Sequence, residues 1–99
     1  MHGLIGKMTA QAGRRGDLVA LLLSGTNSMP GCLSYVIAED PMDTDALWIT
    51  EVRDNEASWM GSLQLPEVQA AIAQARPLIV GMEPRYVTTP IGGVGLERQ

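Results

Sequence analysis

The side chains with most chemistry to offer are a carboxylate, a phenol, an imidazole and two arginines. Glu51 could serve as a base if burial raises its pKa, and the competing reading is an ion pair with Arg53 or Arg85. His2 is either a general base at the mouth of a pocket or a residue on a mobile terminus. Tyr35 can donate to a ligand oxygen, or fill the core with its hydroxyl on the backbone. Trp48 and Trp59 offer flat faces for stacking on an aromatic ring, with core filling as the alternative, above all for Trp48. Arg53 or Arg85 can hold an anion, or pair with a carboxylate of a second copy of the chain. One histidine and one cysteine, Cys32, make no metal motif. No glycine-rich phosphate loop follows a strand, so the expected cofactor is none. Cys32, at a strand start, reads as a small buried hydrophobe.

Those residues have to be placed by a short chain. At 99 residues there is room for one domain, residues 1–99. A chain of this length buries roughly 60–68% of the surface its unfolded form exposes, a thin margin that a second copy would improve. A net charge of −4 argues against a nucleic-acid surface. Arg14 and Arg15, the basic doublet, read as solvated at a helix start. No charged leader with a cleavage site is evident, and the longest apolar run, Leu18 to Leu23, falls far short of the ~20 residues of a membrane helix. With an unpaired cysteine, these features lead us to expect a cytoplasmic protein.

Periodicity then orders the elements. Leu4 to Ala12 reads as a strand ended by Gly13. Arg14 to Ser28 reads as a helix whose apolar stripe is Leu18, Leu21, Leu22, Gly25 and Met29, with Asp17 suiting the helix dipole. Pro30-Gly31 breaks it. Cys32 to Glu39 is the clearest strand, with Leu33, Tyr35 and Ile37 on one face and Cys32, Ser34, Val36 and Ala38 on the other. A short polar loop leads to its hairpin partner, Ala46 to Arg53, which carries Leu47, Ile49 and Glu51 on one side and Trp48, Thr50 and Val52 on the other. Asp54-Asn55-Glu56 caps a helix to about Leu63, and Pro66 opens another with Val68, Ala71, Ile72 and Ala75 as its apolar face. Leu78 to Val80 reads as one more turn, Arg85 to Thr89 as a last strand, and Pro90 to Gln99 as a glycine-rich tail. The order of strand, helix, strand, strand, helix, strand predicts an α+β, ferredoxin-like split βαβ fold with an antiparallel sheet. One sheet face lies under the helices, and the other must meet a ligand or another chain.

Pro30-Gly31-Cys32-Leu33-x-Tyr35, Trp48-Ile49-Thr50-Glu51-Val52, Asp54-Asn55-Glu56-Ala57, Leu63-x-Leu65-Pro66-Glu67-Val68 and Val87-Thr88-Thr89-Pro90-Ile91-Gly92-Gly93 follow one another in an order and spacing that resembles the antibiotic-biosynthesis monooxygenase family, including its quinol monooxygenases. The resemblance spans nearly the whole chain. It implies a homodimer in which two bare sheet faces close into a dimeric α+β barrel with a pocket in each half. It also implies oxidation of phenols or quinols by molecular oxygen without metal or flavin. Such chemistry asks for a base or polarising hydrogen bond, a donor to the developing anion and an apolar wall that excludes water.

The sequence also departs from that family. Arg53 stands where many members carry a tryptophan, and Trp59 where many carry a histidine. No asparagine lies between Met1 and Ala12, and haem degradation has no counterpart for its proximal histidine. Glu51, His2 and Tyr35 are therefore the catalytic candidates; Trp48, Arg53, Trp59 and Arg85 are the candidates for binding a small aromatic substrate. The alternative is a non-catalytic dimeric module that binds a small apolar or aromatic molecule. A third reading is isomerisation or decarboxylation of a related ring, with Glu51 or His2 as the base.

Overall fold

Three long strands build the frame of the protein: β1 (His2–Ala10), β2 (Cys32–Glu39) and β3 (Ala46–Arg53). In the computed structural model, which describes residues 1–24 and 31–96 but not the Trp59 side chain, β3 runs between the other two, antiparallel to both. The outer side of β1 takes two short strands, β4 (Ile79–Gly81) and β5 (Arg85–Thr88), which occupy successive stretches of the same edge. Between them the Lys7 amide donates to the Pro84 carbonyl at 2.9 Å. The helices α1 (Arg15–Ser24), α2 (Glu56–Ser62) and α3 (Pro66–Ala75) complete the chain, with a 3-10 turn at Arg76–Leu78.

The α+β, ferredoxin-like arrangement with an antiparallel sheet is as expected, but the barrel is not. The sheet is open: its path runs β2-β3-β1-β4, with β5 also on β1, and among the described residues no pairing joins the two ends. A sheet four strands wide has too few strands to curl onto itself around a filled interior, which takes about eight.

The main core follows from strand alternation. Met8, Ala10, Leu47 and Ile49 point to one face, and there Leu18 of α1, Ala75 of α3 and Leu78 pack on them. Leu18 and Leu47 are fully buried. Val68 and Ala75, two turns apart, are the buried positions of α3. Arg15 is not simply solvated. Its guanidinium donates to the Asp43 and Ala46 carbonyls at 3.0 and 3.2 Å and lies 3.3 Å from Glu39, tying α1 to the β2–β3 loop. Arg14 pairs with Asp17 at 2.6 Å on the surface.

Several boundaries differ from those expected. β1 begins and ends two residues earlier, so His2 is a strand residue, and Gln11 to Gly13 form a turn. Gly13 adopts a positive φ of 76° and donates to the Asp45 carboxylate, which fixes the exit. Ile79 and Val80 form a strand rather than a helical turn, because pairing with Thr9 and Ala10 satisfies their backbone. Of the expected Arg14–Ser28 helix, the part through Ser24 is seen; Gly25 and Met29 of its stripe, and the Pro30 break, lie outside the described residues.

Candidate functional site

The register of β1, β3 and β2 sets side chains in rungs across the helix-covered face. One rung is His2, Arg53 and Cys32, and the next is Leu4, Glu51 and Tyr35. Val87 of β5 extends the second rung. The third is Gly6, Ile49 and Ile37, reached from β5 by Arg85. Strict alternation had placed Cys32 opposite Tyr35. A register shift between Cys32 and Ser34 brings it instead onto the rung of Arg53. The turn before it is tight: Gly31 has φ 74°, and a side chain there would run into Ser58 and Asp54 at 2.6–2.7 Å.

Two charges are buried on these rungs. Glu51 is 7% and Arg53 3% exposed. Arg53 Nε and Nη2 both donate to Glu51 Oε1, at 3.2 and 3.0 Å, so the expected ion pair is formed within β3 itself. Arg53 Nη1 donates to Ser62 Oγ at 3.1 Å, and that hydroxyl in turn donates to the Ser58 carbonyl at 2.9 Å. Ser62 is 2% exposed on the last turn of α2. This helix starts at Asn55, whose side chain accepts from the Ser58 amide at 2.8 Å. A chain of polar contacts thus runs from Glu51 through Arg53 and Ser62 to α2.

Burial pushes the Tyr35 phenol above its ordinary pKa of 10.0; the Glu51 carboxylate adds to the rise and Arg53 opposes it. The phenol is held neutral and available as a donor. The Cys32 thiol is also raised, by burial first, with Arg53 opposing, and its Sγ donates to the Ser34 carbonyl at 3.6 Å.

The other candidates fall elsewhere. Trp48 lies on the opposite sheet face, where its indole donates to Asp40 at 3.1 Å and the Lys7 ammonium stands 5.9 Å from its ring centre. Lys7 and Asp40 are 3.7 Å apart. Hydrogen bonds from the Met42 amide and the Trp48 indole hold the Asp40 carboxyl below its usual value. Trp59 belongs to α2, and its side chain is outside the described residues. Arg85 is exposed at the sheet edge. An open groove of about 700 Å³ runs between α1 and the end of α3, lined by Arg14, Asp17, Leu21, Gln74 and Pro77; it touches none of the candidates. Sequence reasoning missed Ser62, whose only signal is its place four residues after Ser58 on a capped helix.

Among the described residues no three His, Cys, Asp or Glu side chains are grouped to hold a metal, and no helix is long and apolar enough to cross a membrane. A family model for antibiotic biosynthesis monooxygenases matches residues 1–74. The chain belongs to that family. The monooxygenase-family fold is shared with a candidate antibiotic biosynthesis monooxygenase from Chloroflexus aurantiacus J-10-fl, which is 55% identical, with a TM-score of 0.95 over 97% of this chain and 98% of that one. A candidate member from Deinococcus radiodurans is 26% identical, with a TM-score of 0.78 and coverage of 95% and 96%. Rv0793 from Mycobacterium tuberculosis, at 22% identity and a TM-score of 0.77 over 94% and 97%, has the same fold. No curated protein matches the sequence.

Proposed function

We propose that this member of the antibiotic biosynthesis monooxygenase family oxidises a quinol or polyphenolic ring with molecular oxygen, using no bound cofactor. The observation that carries the reading is the buried Glu51–Arg53 pair with the neutral Tyr35 phenol on the adjoining strand. Glu51 takes the phenolic proton of the substrate, and the two hydrogen bonds from Arg53 hold its carboxylate in place for this. Tyr35 donates to the oxygen that becomes negative. The electron-rich anion reduces dioxygen. One oxygen atom joins a ring carbon, the other leaves as water with two hydrogens from the substrate, and a quinol ends as a hydroxyquinone. All four electrons come from the substrate and its new bond, so no external reductant enters.

A second reading has a specific observation in its favour. Glu51 Oε1 already accepts two hydrogen bonds from Arg53, as a purely structural pair would. In that case the chain is a dimeric module that binds a small aromatic molecule without changing it. Both readings include a homodimer, supported by Val36 and Tyr86, which are 54% and 55% exposed, apolar in most of their area and on the sheet face opposite the one that α1 and α3 cover. Light scattering at micromolar concentration giving the mass of one chain would remove the dimer.

Oxygen uptake with quinols and anthrone-like phenols separates the two readings. Uptake that depends on the protein and collapses in Glu51→Gln and Tyr35→Phe, with both variants still folded, is the expected result. Uptake no faster than in buffer across the panel leaves the binding module.

A further inference from the structure

A glycine inside a strand weakens it relative to alanine and usually has one of three causes: an unusual backbone angle or bulge, a crowding neighbour, or a ligand that approaches the backbone. β1 contains two such glycines. Gly3 has a crowding neighbour, since a Cβ there would collide with Thr88 and Pro90. Gly6 has neither of the first two causes. Its φ is not positive, its pairing with β3 is unbroken from His2 to Thr9, and among the described residues a Cβ would meet no atom within 4 Å. Among the described glycines with open space beside them, Gly6 is the one within the sheet; the others lie in turns, helix ends or the tail.

The space lies on the face of Glu51 and Tyr35. Along β1 it is bounded by Leu4 and Met8, and across the sheet by Ile49 and Arg85. Neighbouring strands lie about 4.8 Å apart, so the side chains of Ile49 and Arg85 flank a gap roughly 10 Å wide over a bare backbone. Apolar side chains line three sides of it. The Glu51–Tyr35 rung is one step away, and the Arg85 guanidinium belongs to the gap's own rung.

We infer that the vacancy over Gly6 is the subsite that takes the ring of a phenolic ligand, and that Gly6 sets the size of ring admitted. This rests on the function proposed above and specifies where its substrate lies. A flat ring can approach a glycine backbone closely. Leu4 and Ile49 then wall it, its hydroxyl edge meets Tyr35 and Glu51, and Arg85 bounds the far edge.

Gly6→Val tests this, with Gly6→Ala as a graded step. Valine suits a strand interior, so the variant keeps or raises the melting temperature. 1-Naphthol, titrated into labelled protein and followed by amide NMR shifts, serves as a stable phenolic probe. Expected are saturable shifts centred on Leu4, Gly6, Glu51 and Val87, with affinity about tenfold or more weaker in Gly6→Val and a smaller loss in Gly6→Ala. Binding centred elsewhere, equal binding in Gly6→Val, or no binding to the unchanged protein overturns the subsite. Oxygen uptake with a quinol, run in parallel, keeps the two ideas apart. Naphthol binding lost in Gly6→Val with no uptake sinks the oxygenase and keeps the subsite. Uptake with KM unchanged in Gly6→Val sinks the subsite and keeps the oxygenase.

Discussion

Under α1 and α3 the sheet presents Ala10, Leu47 and Ile49, none more than 5% exposed; toward α2 it presents Glu51 and Arg53, at 7% and 3%. The two ends of one face are buried to nearly the same degree with opposite chemistry. At the apolar end, burial and stability go together, since each side chain leaves water at a gain. At the polar end two charges leave water, and their mutual attraction offsets that cost only while both are present. An apolar pair of similar volume would serve folding as well or better, so stability alone does not account for the polar end.

The largest expected effect comes from splitting the ion pair. Arg53→Met strands Glu51 and should cost about 3–5 kcal/mol in urea unfolding, while Glu51→Leu with Arg53→Met should recover most of it. A double variant as unstable as the single one would mean that the polar end is a fold requirement, and the contrast would fail. Next is the apolar end: Leu47→Ala should cost about 2–5 kcal/mol, with no partner substitution able to restore it. Ser62→Ala should cost about 1–3 kcal/mol by leaving an Arg53 donor without its hydroxyl, and should lower the hydrogen-exchange protection of α2 more than that of α3. Equal loosening of both helices would show that Ser62 does not tie α2 to Arg53.

The smallest effect is in alkali. Tyr35 titrates higher in the folded chain than its ordinary 10.0, so the native state holds the proton after the unfolded state has released it. Stability from this group is complete below about pH 10 and is lost as pH rises through the folded value, with a slope of at most about 1.4 kcal/mol per pH unit. Cys32, raised from 9.0, adds in the same direction from about pH 9 upward. Tyr35→Phe should flatten the alkaline limb of the stability curve. A limb equally steep in that variant would show that Tyr35 is not the titrating group.

The strands of the central hairpin were legible because Leu47/Ile49 and Tyr35/Ile37 alternate without interruption, and Asn55 and Pro66 mark their helices through capping and a fixed φ. The exit of β1 was misplaced because Gln11 and Ala12 continue the alternation in sequence, while the Gly13–Asp45 contact that ends the strand is long-range. The site was only half legible. Glu51, Arg53 and Tyr35 stood out by residue type, but the bulge that turns Cys32 onto their face leaves no periodic trace. Neither Ser62 nor Gly6 has chemistry of its own to attract notice. Barrel closure failed for a different reason, since it was carried by the family likeness and not by any residue.

The division of one sheet edge into β4 and β5 bears on how the chain behaves when crowded. Edge strands recruit foreign strands through their free amides and carbonyls, and short or interrupted ones do so poorly. The three- and four-residue pieces either side of Pro84, which has no amide proton, make that edge a poor template. The eight-residue β2, with Val36 exposed, has its bulge at one end only. Fibrillar or strand-swapped aggregates of this protein should therefore grow from β2, and a lysine in place of Val36 should slow them.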